Sequence, residues 1–132
     1  MGQWVKEGSR NIANIYLKNQ LQNSQLYLGL YTNEILADLN DADLSWFTEP
    51  TATNYARAVL APANWVVADE VSVYPAIEFE VSLEQFGTIY GCFIGTTLDS
   101  SGLLLAAHTF SVPIELLYYG DRLEITPRII IT

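Results

Sequence analysis

The amino-acid sequence predicts a mainly β fold: an antiparallel, jelly-roll-like β-sandwich of seven or eight strands led by one helix, in a single domain spanning residues 1–132. Three observations carry this. Short apolar runs recur from Leu26 to the last residues, each bounded by turn formers. The run Ile77, Phe79, Val81 alternates with Glu78 and Glu80, so a period of two puts three apolar side chains on one face and two carboxylates on the other. A different period governs Ser9 to Leu21, where Ile12, Ile15 and Tyr16, together with Ala13, Leu17 and Leu21, recur at spacings of three and four.

The elements follow in order. Residues 1–22 form an N-terminal segment and helix with Ser9 as its N-cap, and the apolar stripe of that helix packs on a sheet. Its polar side holds too few basic residues for a membrane-surface helix. Leu26 to Thr32 reads as the first strand. Residues 33–53 read as a long, exposed acidic loop, rich in Asn, Asp and Ser and ending near Pro50. Strand patterns then cover Tyr55 to Leu60, Trp65 to Val67, Ile77 to Val81 and Thr88 to Thr97. After a turn at Asp99 to Gly102 come Leu103 to Phe110 and Pro113 to Tyr119. A second turn at Gly120 and Asp121 leads to the closing strand, Leu123 to Thr132.

With 15 Asp and Glu against 6 Lys and Arg, the net charge of −9 argues against a nucleic-acid partner, which needs a basic face. No run approaches the roughly 20 apolar residues of a membrane helix. Charged residues make up 16% of the chain and hydrophobic ones 50%, so more apolar surface exists than one copy needs to bury; this favours a homo-oligomer or a docked subunit.

Chemistry finds little support. His108 is the only histidine, no Gly-x-Ser-x-Gly elbow accompanies it, and it reads as a strand residue. Nucleotide-binding glycine motifs are absent. Asp38, Asn40 and Glu49 fit positions one, three and twelve of a calcium loop, but Ala42 and Asp43 stand where a ligand and a glycine belong. Cys92, the single cysteine, reads as a small buried hydrophobe. The sequence thus assigns no catalytic, cofactor-binding or metal residues. Aromatic residues are the more informative feature, because Tyr and Trp are enriched at interfaces. Trp46 and Phe47 in the acidic loop, adjacent Tyr118 and Tyr119, and Arg57 are the candidate interface residues; the planar fork of Arg57 suits pairing with a carboxylate such as Glu78 or Glu80, and a merely exposed Arg57 is the equal alternative.

Four segments, in this order, resemble those of a family of small tailed-phage structural proteins of the tail-fibre type: Tyr27-Leu28-Gly29-Leu30-Tyr31-Thr32-Asn33; Phe47-Thr48-Glu49-Pro50 with Tyr55-Ala56-Arg57; Thr88 to Gly95 with Gly102-Leu103-Leu104; and Gly120 to Ile125. The resemblance covers nearly the whole chain and rests on the ordered set. It implies a virion component, assembled in the host cytoplasm, with no enzymatic activity and no cofactor. Its role would be a capsid decoration (cement) protein or a tail-fibre-associated subunit. The partners implied are major capsid or tail proteins of the same virion, held by apolar burial and strand-edge pairing. The alternative is a receptor- or carbohydrate-binding module of a tail fibre.

Overall fold

Alternation in Leu26–Tyr31 sends Leu26, Leu28 and Leu30 to one side of the strand and Gly29 and Tyr31 to the other, and both sides are covered. The computed structural model describes residues 3–4, 25–68 and 71–130. The expected helix at 9–21 lies outside them.

Among the described residues the fold is mainly β, with ten strand segments: β1 Gln3–Trp4, β2 Leu26–Tyr31, β3 Ala58–Leu60, β4 Val66–Ala68, β5 Val71–Val73, β6 Ile77–Glu80, β7 Gly87–Gly95, β8 Leu104–Leu116, β9 Arg122–Ile125 and β10 Arg128–Ile130. All pairings are antiparallel. The largest sheet has five strands in the order β1-β8-β7-β2-β3, a second runs β10-β5-β4, and β6 pairs with β9. The last two are joined: the Tyr74 N–H donates to the Pro127 carbonyl at 2.9 Å, so β5–β6 and β9–β10 form one ribbon kinked where Pro75 and Pro127 interrupt the ladder.

Two corrections to the expected strands follow from hydrogen bonding. Leu103 to Phe110 and Pro113 to Tyr119 are not separate strands: Leu104–Leu116 is continuous, and Tyr118 and Tyr119 belong to the turn beyond it. Pro113 is tolerated because it falls in an irregularity, where pairing jumps from Gly91↔Thr109 to Ile89↔Ile114 and no ladder N–H is required of it. Val71–Val73 is also a strand, and its Val-Ser-Val alternation is only three residues long, too short to signal a strand alone.

The same irregularity decides which way β7 faces. Ile89 lies in the main core and Phe93 in the second cluster, with Tyr90 packed on the second and Cys92 on the main one. A strict period of two would put Ile89 and Phe93 on the same side. Five steps on β8, from Thr109 to Ile114, oppose two on β7, from Gly91 to Ile89, and the parity of β7 reverses across this irregularity. Gly91 sits at this point, and a Cβ on it would collide with the His108 carbonyl and the Tyr31 hydroxyl.

The main core lies between one face of the five-stranded sheet and the β6–β9 pair. It contains Leu28, Leu30, Leu60, Ile89, Ile94 and Leu116 from the former side, and Phe79, Val81, Phe86 and Leu123 from the latter. The opposite face of the sheet carries the second cluster, Tyr31, Phe93, Leu104 and Ala107, capped by Ala42 and Leu44. The acidic segment is therefore a folded cover rather than an exposed loop. Asn33 closes its neck, donating to the Trp46 carbonyl at 2.8 Å and accepting from the Thr48 N–H at 2.8 Å. Two short 3-10 turns, Leu39–Asp41 and Leu44–Trp46, have Asp38 and Asp43 as N-caps, accepting from the Asn40 and Ser45 N–H groups.

Gly91→Ala should destabilise the protein by about 1–3 kcal/mol, because backbone as well as side chain must move. Urea unfolding measures this; an alanine variant as stable as the parent would mean that β7 and β8 stand further apart at the bulge than described.

Candidate functional site

The most polar buried feature begins with a cation in an apolar stretch. Arg57, 8% exposed, lies just before β3 and turns under the second cluster. Its Nε donates to Glu49 Oε1 at 2.7 Å and its Nη2 to Glu49 Oε2 at 3.3 Å, a bidentate pair. Nη1 donates to the Thr97 and Asp99 carbonyls at 2.7 and 2.9 Å. The guanidinium carbon lies 5.0 Å from the Phe93 ring centroid, and Phe47 stacks on Phe93 at 4.5 Å with nearly parallel planes. Glu49 also accepts from the Tyr55 hydroxyl at 2.9 Å, and that hydroxyl accepts from the Leu30 N–H at 2.9 Å. One carboxylate and one guanidinium thereby tie the acidic loop, β2, the start of β3 and the turn after β7.

Gly29 makes room for this. A Cβ there would strike Phe93 and lie 2.9 Å from Glu49 Oε1. Burial pushes the Tyr55 phenol well above the ordinary tyrosine range, and the neighbouring Glu49 charge pushes it further. Burial likewise raises Tyr31, whose hydroxyl shares a 2.7 Å hydrogen bond with Thr109. Asp99 is lowered, chiefly by hydrogen bonds from Ser101. These groups are spent on one another and on backbone, and the arrangement presents no free nucleophile–base pair.

Arg57 thus pairs with Glu49, and not with Glu78 or Glu80. Those two carboxylates face Arg122 across the β6–β9 ladder, at 3.8 and 3.0 Å. Glu80 is directly opposite Arg122, whereas Glu78 is opposite Glu124, so Arg122 offsets a like-charge pair. All three are exposed, and such pairs contribute at most about 1 kcal/mol.

The other interface candidates separate. Trp46 and Phe47 are partly buried on the second cluster, Phe47 lying against Tyr31 and Phe93. Tyr118 and Tyr119 are 74% and 85% exposed, on a turn fixed by Gly120 at φ 89° and by the Asp121 carboxylate, which accepts from the Leu117 and Tyr118 N–H groups. Sequence reasoning missed Leu83, 80% exposed on the adjoining 82–86 loop. Three backbone hydrogen bonds hold this loop beside the tyrosine turn: Val81 to Asp121, Gly120 to Val81 and Phe86 to Leu116. A single leucine among Ser82, Glu84 and Gln85 gave no periodic signal.

An apolar cleft of about 240 Å³ also opens on the main-core face of the sheet. Leu28, Cys92, Ile94 and Ala106 form its floor, and Leu123, Ile125 and Pro127 its far wall. His108, Glu124 and Arg128 stand among the lining residues. Burial pushes the Cys92 thiol up to about 12, so it is a poor nucleophile at neutral pH. Among the described residues no three His, Cys, Asp or Glu side chains converge as metal ligands, and no helix is long and apolar enough to cross a membrane.

Arg57→Met should cost about 3–5 kcal/mol, since it strands the Glu49 carboxylate; denaturant titration checks this, and a loss below about 1 kcal/mol would show the pair to be solvated. Tyr55 supplies a pH test. Its folded state favours the neutral phenol, so the stability it contributes is complete below the unfolded value of about 10 and is lost as pH rises above that. Tyr55→Phe should flatten the alkaline fall in stability, measured as urea midpoints from pH 9 to 11.5 on the order of half a unit apart.

No family model, no curated protein sequence and no solved structure matches the chain.

Proposed function

We propose that this chain is a non-enzymatic structural subunit of a tailed-phage virion, a capsid decoration (cement) or tail-fibre-associated protein that acts by protein–protein contact. Its main-core face and β6–β9 ribbon would be the two layers of a β-sandwich. The observation that carries the reading is the exposed apolar tip: Leu83, Tyr118 and Tyr119 on two loops cross-braced by backbone hydrogen bonds. Aromatic side chains on a stiff frame bury area at little conformational cost, as interface anchors do. The ordered resemblance of Tyr27 to Asn33, Phe47 to Arg57, Thr88 to Gly95 and Gly120 to Ile125 to small phage structural proteins supplies the context. The chemistry of the buried network points the same way, since its polar groups serve the fold.

The exposed tyrosines also favour a second reading, stacking on a sugar of a host receptor, with Glu84 nearby in sequence to Leu83 to accept hydroxyl hydrogen bonds.

Leu83→Ser with Tyr118→Ser and Tyr119→Ser should each change the unfolding free energy by no more than a surface substitution does, about 0.5 kcal/mol, and together abolish incorporation into particles. Quantitative mass spectrometry of purified virions and cryo-electron microscopy of the particle read this. Unchanged incorporation with lost host adsorption would select the sugar-binding module; absence of the parent protein from the particle would overturn the virion reading.

A further inference from the structure

We infer that the protein met by the exposed tip supplies an arginine or lysine at the rim of its apolar pocket, paired with Glu84. The inference rests on the reading of Leu83, Tyr118 and Tyr119 as a docking surface and adds the partner's charge to it. Three segments build this tip. Thr53 joins the two braced loops: its N–H and its hydroxyl both donate to Glu84 Oε1, at 3.3 and 2.8 Å. Beside it, the Asn54 amide donates to the Ser82 hydroxyl at 2.9 Å. Residues 51–54, 81–86 and 117–121 are thus tied into one frame, since Val81 and Asp121 already exchange backbone hydrogen bonds with the opposite loop.

Charge on this frame has one sign. Its three segments contain Glu84 and Asp121 and neither Lys nor Arg. The Asp121 carboxylate is occupied by the Leu117 and Tyr118 N–H groups. Arg122, the next cation along the chain, already faces Glu78 and Glu80 at 3.8 and 3.0 Å. Glu84 differs from both. It is exposed, it follows Leu83 directly, and Thr53 holds its carboxylate in place. Consecutive Cα atoms lie about 3.8 Å apart, so a pocket that takes the Leu83 side chain brings its rim against Glu84. Two neutral donors do not balance a carboxylate that loses its water there; a charge buried in an interface stays costly unless an opposite charge meets it. An acidic rim would add repulsion, in a chain whose net charge is already −9. Arginine suits both features of the tip, because its fork meets a carboxylate and its plane stacks on an aromatic ring. A sugar would offer Glu84 neutral hydroxyls instead, and that contact would depend little on salt.

Purified particles that carry the parent protein, Glu84→Gln or Glu84→Lys are washed in rising sodium chloride, and the protein retained is counted by quantitative mass spectrometry. Glutamine keeps an oxygen for Thr53, so it removes the charge and leaves the frame. The parent should be released increasingly as salt rises; Glu84→Gln should leave about tenfold faster at low salt, with little further response to salt, and Glu84→Lys should not be retained. Retention of Glu84→Lys at the parent level overturns the inference, and so does release of the parent that is indifferent to salt. Unchanged retention of Glu84→Gln with lost host adsorption also overturns it, by assigning Glu84 to a receptor. Failure of the underlying docking reading has a separate signature: the Leu83, Tyr118 and Tyr119 triple serine variant is then retained as the parent is, or the parent is absent from the particle, and the inference falls with it.

Discussion

The bidentate contact between Glu49 and Arg57 is the constraint on which the rest of the sheet's second face depends. A segment with four acids between Glu34 and Asp43 has no reason of its own to lie over Tyr31 and Phe93. Glu49 is anchored by a buried guanidinium, and the anchor carries Phe47 onto Phe93 and Ala42 and Leu44 into the cluster. As net stability a buried ion pair is a weak asset, because desolvation offsets the attraction. Its consequence here is positional. Arg57 has donors directed at four acceptors on three residues in two segments, and the carboxylate that meets it also takes the Tyr55 hydroxyl. A different loop register would leave several of these groups buried and unpaired, at a cost of about 1–3 kcal/mol each.

That geometry in turn presupposes the absence of side chains at two places. Gly29 lets Glu49 and Phe93 close on β2, and Gly91 lets Tyr31 reach across to the β8 backbone. The bulge beside Gly91 then has two effects with one cause. It keeps Ile89 in the main core while Phe93 faces the second cluster, and it gives Pro113 a position in a thirteen-residue strand where no ladder bond is lost. A continuous sheet with both faces apolar needs such a parity change wherever the sequence departs from strict alternation.

How far the sequence revealed this depends on which interactions are local. The alternation at Ile77 to Val81, the turn at Gly120 and Asp121 and the strand around Gly91 are legible, since period and turn chemistry are properties of neighbouring residues. The merging of Leu103–Phe110 with Pro113–Tyr119 was not, because a proline reads as a break until its strand partner shows the irregularity that accommodates it. The acidic segment misled for a related reason: Asp38 and Asp43 look like solvated charge but cap 3-10 turns. The partner of Arg57 was hidden too. Glu78 and Glu80 stand on a visibly alternating strand, whereas Glu49 comes close only once Gly29 has made room for it. Of the five candidate interface residues, Tyr118 and Tyr119 are exposed, while Trp46, Phe47 and Arg57 are occupied within the chain.

This division bears on how the protein would meet a partner. Strand-edge pairing needs a long unpaired strand, and the described edges differ: β8 meets β1 only at Ala106 and Ala107, so most of this thirteen-residue strand faces no described strand on that side, whereas the other edges are short. β3 has three residues and runs into the Pro62 turn, while β6 and β9 have four residues each and project Glu78, Glu80, Arg122 and Glu124 outward. Short, charged edges resist the addition of another chain's strand. Leu83, Tyr118 and Tyr119 are exposed on loops outside the ladders, while Leu36, Leu98, Val66 and Val112 are exposed elsewhere, the last two on strands. For a partner of the kind proposed, contact by side chains set into a pocket would suit the Tyr118–Tyr119 turn, with Gly120 as its rigid base and the net negative charge of the chain selecting against acidic neighbours.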